Sequence, residues 1–203
     1  MFEDTYFTIE EKVEGLYKEK GSRFISLAFP VSKEDEVKEI LKDIKKEYYD
    51  ARHHCYAYIL GYDKSAYRMN DDGEPSSTAG KPIYGQLLSN DLTNILVVVV
   101  RYFGGTKLGV SGLIQAYKQA ALDALNNAKI IEKTVDEIYS IIFDYVLMND
   151  VMKVLKDFDV IQMNHRFDNA CYLEFRTRKS NSIKIVDNLS SIDGVNVKFL
   201  SLV

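Results

Sequence analysis

Residues 93–100 read TNILVVVV, a run of strand length with no charged residue and four consecutive valines. An apolar run that lacks polar alternation is buried on both faces, so it predicts a strand at the centre of a sheet with a layer of structure on either side. The run ends at Arg101. A loop over 102–109 then leads into a predicted helix over 112–128, whose Ala116, Ala120, Ala121, Ala124 and Ala128 let it approach the sheet closely.

The elements before it fit the same layered plan. RFISLAFPV at 23–31 is a strand by its β-branched and aromatic content. Ser32 is placed to cap a following helix, with acids at 34–36 and apolar residues at Val37, Ile40, Leu41, Ile44 and Tyr48. Strands are predicted over 55–61 and 65–69, joined by a turn at Gly61. The segment 70–82, NDDGEPSSTAGKP, holds two prolines and two glycines, which excludes regular structure across most of it. A short helix is expected to follow through Leu88.

After residue 131 the pattern starts afresh. Tyr139, Ile141, Phe143, Tyr145 and Leu147 alternate as in a half-buried strand, and a helix carrying Val151, Val154 and Leu155 follows. Strands are expected near 160–164, over 171–177 with one wet face, and over 195–199, with a helix around Ile183, Val186 and Leu189. The order βαββαβ is the split-βαβ or ferredoxin-like arrangement. The prediction is therefore an α+β chain of two domains, 1–131 and 132–203, consistent with a length of 203 residues.

Composition narrows the function classes. A content of 46% hydrophobic and 28% charged residues supports a folded core rather than disorder. The acidic start of the chain does not match a signal peptide and no run of about 18 apolar residues occurs, so a cytoplasmic protein without a membrane segment is expected. Cys55 and Cys171 are too few and too far apart for a disulfide scaffold. The net charge of −4 is shared evenly between the two predicted domains. Any nucleic-acid binding must then come from a local patch.

Three segments carry candidate chemistry, all in the first domain. RYFGGTKLGVSGL at 101–113 places Gly104, Gly105, Gly109 and Gly112 between a buried strand and a helix. Such a loop can present backbone N–H groups to an anion at a helix N-terminus, with Arg101 and Lys107 adding charge. The competing reading is a structural strand-to-helix turn. Neither the dinucleotide fingerprint nor the Walker P-loop is matched, and no cofactor is expected. In DDGEPSSTAGKP, Lys81 adds a cation, while Ser76, Ser77 and Thr78 suit helix capping first and phosphate contact second. Asp71, Asp72 and Glu74 read as solvated turn acids rather than ligands of a hard cation, so no metal is predicted. In ARHHCYAY at 51–58, strand geometry puts His53 and Cys55 on one face and His54 on the other. Packing is favoured there over catalysis, with Arg52, His53 and His54 available to phosphate.

These strings, DDGEP-x-x-TAGKP, RYFGG-x-x-LG-x-x-GL, ARHHCYAY and SRFI at 22–25, closely resemble the YigZ/IMPACT family, in its bacterial two-domain branch. The resemblance implies a first domain folded like the second domain of a small-subunit ribosomal protein and a ferredoxin-like tail, a pairing similar to the end of elongation factor G. It further implies RNA or ribosome binding and a role in translation or its regulation, with a translation-related protein as a further partner. Eukaryotic relatives restrain a translational-control kinase by competing for its activator through an extra N-terminal domain; that domain is not expected here, so the activity is not carried over to this chain. Two positions depart from the pattern: Ser111 replaces a usual glycine, and Gln115 replaces a frequent Lys or Arg, removing a positive charge near the anion site.

The leading expectation is a non-enzymatic RNA- or ribosome-binding protein that contacts phosphate through the glycine loop, Arg101, Lys107 and Lys81. One rival is an enzyme acting on a phosphorylated or carboxylated small molecule, with Asp71, Asp72 or His53 as acid–base groups. Another is a protein-docking module built on the glycine loop.

Overall fold

The structure, a computed structural model, describes residues 4–167 and 170–203. Its first ten elements are β1 (Thr5–Ile9), β2 (Val13–Glu19), β3 (Ser22–Pro30), α1 (Glu34–Glu47), β4 (His53–Leu60), β5 (Ala66–Asn70), α2 (Gly80–Ser89), β6 (Ile95–Tyr102), α3 (Gly109–Asn126) and β7 (Ile130–Thr134). Strands β2-β3-β6-β4-β5, in that order, form a sheet whose neighbours are all antiparallel. The apolar run thus lies in the middle strand. Its odd residues, Ile95, Val97 and Val99, enter a core shared with α2 and α3, and its even residues, Leu96, Val98 and Val100, enter a second core under α1. All six are fully buried. Each such side chain contributes about 1.5–3 kcal/mol, which makes this strand the anchor of both layers.

Three local details differ from expectation. Ser32 does not cap α1. The N-cap is Lys33 without a side-chain bond, and the Glu36 carboxylate instead reaches back to accept from the Ser32 N–H at 2.7 Å and its hydroxyl at 3.0 Å. Helix α3 begins at Gly109 rather than 112, since glycine is tolerated in a first turn whose later residues Leu113, Ala116 and Tyr117 are held in the core. Strands β1, β2 and β7 were not predicted. Strand β2 is paired with β3 through Lys20 and Gly21, both at positive φ (45° and 79°), with Glu19 opposite Ser22. That is a two-residue turn of the primed kind, which favours Asn-Gly and here uses Lys-Gly.

By contact, the chain divides into two units, residues 6–133 and residues 134–203 with the start of the chain. The second contains β8 (Asp136–Phe143), a 3-10 turn at Tyr145–Leu147, α4 (Met148–Asp157), β9 (Ile161–Phe167), β10 (Cys171–Arg178), α5 (Lys179–Ser190) and β11 (Asn196–Leu202). Its sheet order is β11-β8-β10-β9 with antiparallel pairs, the split-βαβ topology. Cys171, Leu173, Phe175 and Thr177 point into its core, as their alternation requires. The expected extension of the first strand through Tyr145 and Leu147 is not formed, because the chain turns at Asp144. The chain as a whole is α+β. Among the described residues no helix is long and apolar enough to cross a membrane.

Candidate functional site

The three chemistry-bearing segments converge at one end of the central strand. Pairing of β4 with β6 sets His53 opposite Arg101 and Cys55 opposite Val99. Strand alternation sends Cys55 into the α2/α3 core and His54 to the other face. There His54 is buried, and its Nε2 donates to the Tyr48 carbonyl at 3.0 Å. His54 is thereby removed from the phosphate-contact set expected of it. His53 donates from Nδ1 to the Asp72 carbonyl at 2.8 Å, which leaves Nε2 unprotonated when the ring is neutral.

Each acid of 71–74 has a separate task. The Asp71 carboxylate accepts from the amides of Ser77, Ala79 and Gly80 at 2.8, 3.0 and 2.8 Å, capping α2. The Asp72 carboxylate accepts from the His54 amide at 2.7 Å and lies 3.6 Å from Lys45 Nζ. Glu74 is buried, and its Oε1 accepts from Arg101 Nη1 at 2.6 Å and from the Tyr117 hydroxyl at 2.8 Å. The solvated-turn reading of Glu74 is therefore corrected. No group of three or more acids, histidines or cysteines among the described residues is arranged to hold a metal ion. The hydroxyls expected to cap α2 do not do so: its N-cap is Ala79 without a side-chain bond, and the buried Thr78 donates its hydroxyl to the Pro75 carbonyl at 2.6 Å. That also withdraws Thr78 from phosphate contact.

Beneath this layer the Cys55 sulfur lies 3.1 Å from the Asp71 carbonyl and 3.3 Å from the Tyr117 hydroxyl. Burial pushes the Cys55 thiol well above its ordinary value, and the bond to Tyr117 offsets only part of the shift. Burial also pushes the Tyr117 phenol up, with the neighbouring Cys55 next in effect. A thiol so placed stays protonated and is a poor nucleophile.

The glycine loop is divided in its duties. Gly104 rests on the β2–β3 turn: its amide donates to Ser22 Oγ at 3.1 Å, and a Cβ there would fall 1.9 Å from the Gly21 carbonyl carbon. Gly105 and Gly109 have φ of 88° and 73°, and a Cβ on either would meet nothing within 4 Å, so they serve backbone conformation beside open space. Gly112 packs in the first turn of α3 against Leu108. This 18-residue helix has no side-chain N-cap and no acid in its first turn, which leaves the positive end of its dipole without a charged partner on that turn.

Beside that end lies a cavity of about 470 Å³, to whose wall Arg52, His53, Arg101 and Lys107 bring polar groups, and Phe103 and Val110 apolar ones. Gly109 also reaches its wall, whereas Ser76, Lys81, Thr78 and His54 do not. Arg101 is only 7% exposed, its guanidinium carbon is 5.5 Å from the Phe24 ring centre and 5.7 Å from that of Phe103, and its Nε has no partner. Sequence reasoning missed Glu74 as the partner of Arg101, and missed Phe103 and Val110 as parts of the site. The signal for Phe103 was a large aromatic residue inside a glycine-rich, cationic loop; Val110, in the first turn of α3, carried no such signal.

Comparison with known proteins places the chain in a family. The Impact N-terminal domain model matches residues 20–125, a span that contains every site residue named above. IMPACT family member YvyE of Bacillus subtilis is 38% identical over 153 residues, covering 75% of this chain and 70% of that protein. IMPACT family member YigZ of Escherichia coli is 35% identical over 142 residues, covering 69% and 70%. A crystal structure described as that of a hypothetical protein superposes with a TM-score of 0.73 at 27% identity and covers 98% of both chains. With a family model over half the chain and relatives of this identity along most of it, the protein belongs to the IMPACT family.

Proposed function

We propose that this is a non-enzymatic RNA- or ribosome-binding protein with a role in translation, and that unit 6–133 carries the binding surface. The observation behind this reading is the pairing of an uncapped α3 N-terminus and an exposed glycine loop with the cations Arg52 and Lys107 at one cavity. Backbone amides, a helix dipole and flanking cations together suit phosphate oxygens. Of the acid–base groups that an enzymatic reading offers, Asp71, Asp72 or His53, both carboxylates are taken up by backbone amides and only His53 keeps a ring nitrogen at the cavity wall, which weighs toward binding rather than turnover. The role in translation follows the family resemblance, and Lys81, exposed on α2 away from the cavity wall, is kept as an outlying phosphate contact.

The test is sedimentation of tagged protein through a ribosome profile. Co-migration with ribosomal particles at low salt, lost both at high salt and after nuclease, is the expected result, because phosphate contacts release counterions. Protein that stays at the top of the gradient at low salt overturns the proposal.

A further inference from the structure

We propose that the cavity at the α3 N-terminus takes one unpaired nucleobase of a single RNA strand, stacked on Phe103, while the loop amides and Lys107 hold the adjoining phosphate. This deepens the function proposed above and rests on it.

Phosphate binding alone does not account for the apolar part of the cavity wall. Phe103 is 56% exposed and Val110 59% exposed, and both stand on the cavity wall beside Arg52 and Lys107. Exposed large apolar groups next to cations mark a surface for a ligand that is anionic at one end and flat and apolar at the other. The Arg101 guanidinium lies against the Phe103 ring, a cation–π contact that orients the ring as a platform.

Arg101 stands on the same wall, more than nine-tenths buried and with Nη1 committed to Glu74. Electrostatics fits the same occupant: Arg101 and Glu74 cancel as a pair, so Arg52 and Lys107 remain as net positive charge for the phosphates. A volume of about 470 Å³ falls within the range of small-ligand sites, on the order of 300–1,000 Å³. In a duplex the bases are stacked inside and only phosphate and ribose lie outside, so the apolar wall would meet nothing to stack with.

The experiment is fluorescence anisotropy with three probes of one length: a labelled single-stranded RNA, the same strand with abasic residues, and its duplex. Wild-type protein should favour the intact single strand. Phe103→Ala should weaken that binding about tenfold and leave the abasic strand and the duplex unchanged. Lys107→Ala should weaken all three. Phe103→Leu, with an unchanged urea midpoint, controls for folding and should lose as much as the alanine variant. If Phe103→Ala is silent while Lys107→Ala still weakens binding, the base pocket is overturned and RNA binding stands. If wild-type protein binds none of the probes at low salt, both are overturned.

Discussion

Arg101 and Glu74, 27 residues apart in the chain, are joined by a 2.6 Å bond where their side chains are only 8% and 4% exposed. This bond ties the DDGEP segment to the end of the central strand, and the Tyr117 hydroxyl ties both to α3. Removing one member leaves a buried charge without its counterion, a loss of about 3–5 kcal/mol. Glu74→Ala should therefore lower the urea midpoint sharply. Adding Arg101→Met should restore most of the loss, because no charge is then stranded. Additive losses in the double variant would show that the pair does not act as a unit.

The two adjacent glycines of the loop should respond differently to one added methyl. Gly105→Ala meets open space and suffers only its left-handed backbone, a cost of about 1–2 kcal/mol. Gly104→Ala drives its Cβ into the backbone of Gly21 and Ser22, at 1.9 and 2.1 Å, and the loop must leave the β2–β3 turn. Denaturant titration should give Gly104→Ala the larger loss of stability.

For α2 the prediction concerns which residue caps it. Asp71→Ala deletes the acceptor of three amides and should cost about 1–2 kcal/mol, the upper range for a lost cap. Ser76→Ala, which removes an exposed hydroxyl, should stay within about 0.5 kcal/mol of wild type. Equal losses from the two would contradict the assignment of the cap to Asp71.

That cap marks where sequence reasoning stopped working. Signals carried by a few neighbouring residues were legible: the unbroken run of β6, the alternation of Cys171 to Thr177, and the opposite facing of His53 and His54 all follow from strand geometry. Asp71 caps from eight and nine positions away, where local rules pointed to the adjacent hydroxyls of Ser76 to Thr78. Glu74 sits in a polar, turn-rich string and reads as solvated, since its burial depends wholly on Arg101 and Tyr117 from distant elements. Strands β1, β2 and β7 are short or largely polar and take their form from their pairing.

Alkaline pH should weaken the fold through Cys55 and Tyr117, whose pKa values are both raised by burial in the native state. Below the ordinary thiol value, about 8.5, native and unfolded chains alike hold both protons and this stability is fully present. Above it the unfolded chain releases the Cys55 proton and, nearer pH 10, that of Tyr117, while the native chain keeps both. Stability therefore falls as pH rises. The urea midpoint should decline from about pH 8 to 10, and Cys55→Ala should remove the earlier part of the decline.

On the proposed RNA-binding role, the phosphates of the bound strand should pass over the glycine loop. Lys107 is exposed on the glycine loop and lines the cavity, whereas Lys38 lies on α1, across the sheet, and is paired with Asp35 at 2.8 Å. A lysine that neutralises one phosphate contributes about one unit to the slope of log affinity against log salt. Lys107→Ala should make that slope shallower by about 1, and Lys38→Ala should leave it unchanged. If the slope is the same in wild type and Lys107→Ala, the phosphates do not pass over this loop, and the amides at the start of α3 lose the ligand assigned to them.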